Sequence, residues 1–133
     1  MNPVTSAGRG ETATLAHLLA THADGLLTEA AAVGLLITHR YWLTRTAFTD
    51  RFVHPVTGHY GRPVGAWIDW PAAVAALQHG DLPCSASQAA LLRIAASLAA
   101  GLPLSLHQVL GGLDAPTIAA VATAITTANG TRP

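Results

Sequence analysis

The side chains of this sequence most able to do chemistry are seven histidines, one cysteine and two glutamates. His17 and His22 stand five apart, roughly 140° around a helix, so they cannot converge on one metal ion. His54 and His59 flank a turn and can approach each other. No Cys, Asp or Glu lies at a suggestive spacing nearby to complete the three or four ligands a zinc site needs. Cys84 precedes a helix start, a position that can activate a thiol. His79 and Asp81 are close to it in sequence but at no motif spacing. Phosphate-binding loop, dinucleotide fingerprint, nucleophile elbow and HExxH are all absent. Gly58-His59-Tyr60-Gly61 is too short and has no following helix in register. A metal- or thiol-dependent enzyme is therefore the weakest functional reading. No catalytic residue, metal ligand, cofactor or small-molecule ligand is assigned.

A local asymmetry carries more. All seven aromatic residues fall between Tyr41 and Trp70, and four of the seven arginines, Arg40, Arg45, Arg51 and Arg62, fall between 40 and 62. His39, His54 and His59 join them, and Asp50 is the only acid in that stretch. Cations interleaved with aromatics are a nucleic-acid-binding composition. The expected order of helix, short strand, helix and hairpin is that of a winged helix-turn-helix, whose second helix enters the major groove. In that reading Arg40, Arg45, Thr46, Thr49 and Arg62 are the nucleic-acid or partner-binding candidates, with Arg62 on the wing. Two facts oppose DNA. Asp50 would sit on the recognition helix, and the chain is neutral, with seven Arg against seven Asp plus Glu, where DNA-binding domains are strongly basic.

Elements to position these groups can be read from periodicity and stop signals. Pro3, Gly8 and Gly10 among small polar residues give a disordered tail over 1–11. A helix over 12–23 carries Leu15, Leu18, Leu19 and His22 in one stripe and stops at Gly25. Thr28 is expected to cap a helix over 29–38 that is apolar nearly all round, hence central. Tyr41-Trp42-Leu43 is a short extended candidate. Thr44 would cap a helix over 45–52 with Phe48 and Phe52 facing inward together. Prolines and glycines punctuate 53–68 as a hairpin with Ala66-Trp67-Ile68 in its second arm. Asp69 caps a fourth helix ended by Gly80. Ser85 or Ser87 starts a fifth over 86–100 with Gly101 at its end, and Ser105 starts a short sixth to Leu110. Asp114 caps the last, with Ile118, Val121, Ala122 and Ile125 in register and Gly130 behind it.

At 133 residues, 50% hydrophobic and 11% charged, the chain has the composition of a packed single domain, placed at 12–130. The fold class expected is mainly α: a compact bundle of six or seven short helices with a small β-hairpin element and a winged-helix-like N-terminal half. Residues 94–113 lack charge, but Gly101, Pro103, Gly111 and Gly112 divide them into two helices and a turn, not a membrane span. A lone cysteine and no apolar leader in 1–14 point to the cytoplasm. Alanine fills 27 positions. Alanine-rich helices and scarce surface charge suit self-association or a protein partner. The leading functional reading is thus a non-catalytic protein-interaction or regulatory module, with winged-helix-like DNA binding through residues 39–62 as the alternative.

The strings Ala66-Trp67-Ile68-Asp69-Trp70, Leu82-Pro83-Cys84-Ser85, Leu92-Arg93-Ile94-Ala95-Ala96-Ser97-Leu98 and Gly112-Leu113-Asp114 resemble a group of small uncharacterised proteins from high-GC bacteria. With Leu36-Ile37-Thr38-His39 and Tyr41-Trp42-Leu43 the resemblance covers residues 28–129. It implies one compact domain and brings no activity and no site residue with it.

Overall fold

The helix that follows Ser85 shows how local signals set this fold. In the computed structural model, which describes residues 3–131, the Ser85 hydroxyl accepts from the Gln88 N–H at 3.1 Å. The Gln88 carboxamide in turn accepts from the Ser85 N–H at 2.8 Å. This reciprocal box satisfies two donors that a helix start leaves free. It launches helix α5, Ala86–Ala100, which Gly101 ends in the left-handed conformation at φ 68°. Asp69 caps α4 (Trp70–Gln78) and Asp114 caps α7 (Ala115–Asn129) by accepting from Ala72 and Thr117 N–H groups. Ser105 does the same for the short α6, Leu106–Leu110.

The N-terminal half departs from sequence expectation in several places. Helix α1 runs Pro3–Ala23, so the backbone over 3–11 continues the helix instead of forming a tail; Met1 and Asn2 lie outside the described residues. Proline is well suited to an early helical position because its missing N–H has no partner to lose there. Helix α2 spans Leu27–His39 and starts at Leu26, not Thr28, with no side-chain cap. The positive φ of Gly25 turns the chain early, and Leu26 O then accepts from the Ala30 N–H. Tyr41-Trp42-Leu43 is not extended: Trp42–Thr44 is a 3-10 turn, its Thr44 hydroxyl donating to Tyr41 O at 2.7 Å. With that hydroxyl engaged backwards, Arg45 takes the N-cap position of α3, Thr46–Phe52.

Helix α3 runs directly into the hairpin of β1 (Val53–Thr57) and β2 (Pro63–Ile68), paired antiparallel with Val53 opposite Ile68 and His54 opposite Trp67. The sheet has only these two strands.

Helix α2 is the centre, packed against α1, α5 and α7, while α1 also lies along β2 and α4 against α5. Its Ala31, Ala32, Val33, Leu35 and Leu36 are all buried. The aromatic segment docks beside it. Trp42, Phe48 and Phe52 are buried in series, with ring centroids 5.3 Å and 5.6 Å apart, separations typical of favourable tilted pairs. The Trp42 indole donates to Gln88 O at 3.0 Å and the Trp70 indole to the Glu29 carboxylate at 3.3 Å. Tyr41 donates to Pro83 O at 3.1 Å. The Tyr41 and Trp42 tips thus tie the aromatic region to the C-terminal half, and the Trp70 tip ties it to α2, each satisfying a polar group. No described helix is long and apolar enough to cross a membrane.

Candidate interaction surfaces

The residues expected to bind nucleic acid or a partner are held on α3 and its flanks, but not on one face. Arg45 is exposed, its guanidinium 5.4 Å from the Tyr41 ring centroid. Thr46 and Thr49 line a cleft on the side of α1, where Leu15, Leu18, Glu11 and Asp50 share the lining. Thr49 is half-buried there, so it does not project outward as the sequence reading placed it. Arg40 sits at the end of α2 in a left-handed conformation, φ 71°. Arg62 follows the hairpin tip, where Tyr60 is fully exposed at φ 61°. Helix α3 has seven residues, about 10 Å of length. It therefore offers two turns, with Arg45 at its N-cap and the two threonines at the cleft beside α1. No ion pair engages Arg40, Arg45, Arg51 or Arg62 among the described residues. Arg51 instead lies over the Phe52 ring at 4.8 Å.

A second surface was missed in the sequence. Along α7 the buried positions are Thr117, Val121 and Ala124, with Ala120 and Ala128 half-buried. Ile118 is 46% exposed, Ile125 53%, and Ala122 is exposed. The expected isoleucine stripe therefore faces out, apart from Val121, and a stripe of small residues faces in. Both stripes have helical period, so periodicity alone could not choose. Packing decides: α7 lies along α2, whose buried Ala31 and Leu35 face the groove the two helices share. Between them runs a groove of about 400 Å³ lined by Ala30, Gly34 and Thr38 on one side and Ala119, Thr123 and Thr127 on the other.

The outer face of α7 is free of charge: the helix holds no charged residue in 15 positions. Thr123 and Thr126 donate their hydroxyls to Ala119 O and Ala122 O, at 3.2 Å and 3.0 Å. Leu27, itself 52% exposed, extends the apolar surface beside Gly130. The signal available in the sequence was the absence of any charge from Ala115 to Asn129.

Titratable groups add little chemistry. Burial pushes the Cys84 thiol up, with Arg93 pulling weakly the other way, which disfavours a thiolate. Hydrogen bonding from Thr117 holds the Asp114 carboxyl below its ordinary value, helped by the charge of His39. No three His, Cys, Asp or Glu side chains among the described residues gather as a metal site. The His54 and Trp67 rings stack across the hairpin at 4.7 Å. The chain matches no protein-family profile, no curated protein and no solved structure.

Proposed function

We propose that this chain is a non-catalytic protein-interaction module that pairs with a second copy of itself through the outer face of α2 and α7. One observation carries the reading: Ile118 and Ile125 are solvent-exposed on a helix with no charged residue. A helix facing water alone normally carries charge on its outer side. The only acid on α2, Glu29, is engaged by the Trp70 indole, and its one basic group, His39, lies in the last turn. Two copies meeting on a two-fold axis therefore bring no like charges together, and a two-fold axis needs one self-complementary patch. The isoleucine ridge and the small-residue groove beside it give that patch both shapes. Each α7 is about 22 Å long, and two helices side by side give a projected face on the order of 400 Å². Two such faces bury about 800 Å² in total, below the roughly 1,200–2,000 Å² of stable specific interfaces, so the dimer expected is a weak, exchanging one. Light scattering should find a mass above the monomer at about 100 µM protein, and a monomer for Ile118→Lys with Ile125→Lys. A wild-type protein that stays monomeric at that concentration overturns the proposal.

A second reading, DNA binding through residues 39–62, is supported by the four exposed arginines without ion pairs and the exposed Tyr60. Glu11 and Asp50 beside Thr46 and Thr49 weigh against it. Anisotropy of a labelled duplex tests it: binding that weakens steeply with salt, and further with Arg45→Ala and Arg62→Ala, would support it.

A further inference from the structure

Arg93 is the only charged residue between Asp81 and Asp114. It stands half-buried in the middle of α5, and no ion pair engages it among the described residues. An arginine cannot shed its charge by titration, and with its stem covered its guanidinium is left free to pair with an anion. Arg93 opens on a groove of about 670 Å³ between the end of α4, the face of α5 and residues 103–112. Ala89, Ala90, Leu104 and Val109 form the apolar part of its walls, and Ser105 and exposed glutamine side chains the polar part. Gln78 and Gln108 also line it, and their carboxamides make no hydrogen bond to other described residues. No Asp or Glu lines it. The volume is in the range of small-molecule sites.

We infer that this groove binds a small aliphatic carboxylate. One fixed cation selects a singly charged head, which the planar guanidinium can hold through two parallel hydrogen bonds. The two carboxamides supply further donors, and the alanine and leucine walls take the hydrocarbon chain. A phosphate ester, with close to two charges, would meet one cation only. This groove is separate from the α2–α7 groove, shares no lining residue with it, and does not depend on self-association.

The test is a titration of the full chain with sodium octanoate at low ionic strength. It is followed by the NMR signals of the Arg93 Nε–H and the Gln78 and Gln108 side-chain amides. Saturable shifts with a dissociation constant of about 1 mM or tighter are expected for a ligand of this size. Arg93→Gln should weaken binding at least about tenfold, and 1-octanol, with the same chain and no charge, should bind that much more weakly than octanoate. Absence of saturable shifts overturns the proposal, as does binding that survives Arg93→Gln or is matched by 1-octanol. Should Arg93→Gln not fold, the octanoate and octanol comparison on the wild-type chain decides alone.

Discussion

Helices α5 and α7 are each 15 residues long, alanine-rich, side-chain capped at the start and closed by a left-handed glycine. Yet α5 buries Ala90, Leu91, Leu92, Ile94, Ala95 and Ala96, and α7 buries only Thr117, Val121 and Ala124. The difference is position in the stack. Helix α5 packs against α2, α4, α6 and α7, so its faces are covered in several directions; α7 packs against α2 and α5. Composition made both helices apolar, and neighbours made only one of them core.

The sharpest way to break this comparison is a large-to-small change on each helix. Leu91→Ala, at a fully buried position, should destabilise by about 2–5 kcal/mol. Ile118→Ala should change monomer stability by less than about 0.5 kcal/mol, measured by urea unfolding at dilute protein. Equal losses would mean that α7 is covered within the monomer and would remove the basis for pairing. Next in size are the caps: Ser85→Ala should cost about 1 kcal/mol, read as a lower urea midpoint, and Asp114→Ala should lower the midpoint as well.

Acid separates the two helices further, because only α7 is capped by a titrating group. The folded Asp114 carboxyl titrates below its ordinary value. Its contribution is therefore fully present above the ordinary aspartate value of about 3.9 and is lost as pH falls through the lower folded value. Hydrogen exchange at about pH 3 should show the first turn of α7 opening before that of α5, whose Ser85 cap does not titrate. The effect should vanish in Asp114→Ser. The one change expected to stabilise is Arg40→Gly. It replaces a left-handed arginine at the end of α2 with the residue that adopts that conformation freely, and should stabilise by up to about 1 kcal/mol.

Legibility followed the range of the signal. The hairpin was readable because Pro55, Gly58, Gly61 and Pro63 break every helical register and leave valines and aromatics between them. Helix α5 was readable from Ser85 to Gly101 because both ends are marked by side chains acting within four residues. Helix α2 began elsewhere than Thr28 because a turn at Gly25 offered a start that needs no side-chain cap. Trp42 and Leu43 were misread as extended because β propensity is a weak bias. Their burial against Gln88 and the core is satisfied equally well in a 3-10 turn. Thr49 pointed toward α1 for a reason no local pattern carries, since α1 lies more than two dozen residues away in sequence.

The sequence by itself determined the mainly helical class, the hairpin, most of the caps and stops, and the clustering of aromatics with Arg40, Arg45, Arg51 and Arg62. These depend on hydrogen bonds and dihedral preferences among residues within a few positions of one another. Tertiary structure alone decided which stripe of α7 is buried, that Thr49 is half-buried in a cleft beside α1 while Arg45 is exposed, and that Arg93 opens on a groove with Gln78 and Gln108. A helix repeats its side chains around the full circle, so every amphipathic pattern has a rival one residue away. The choice between rivals is made by the shape and closeness of the neighbouring helix, through contacts between residues far apart in the chain.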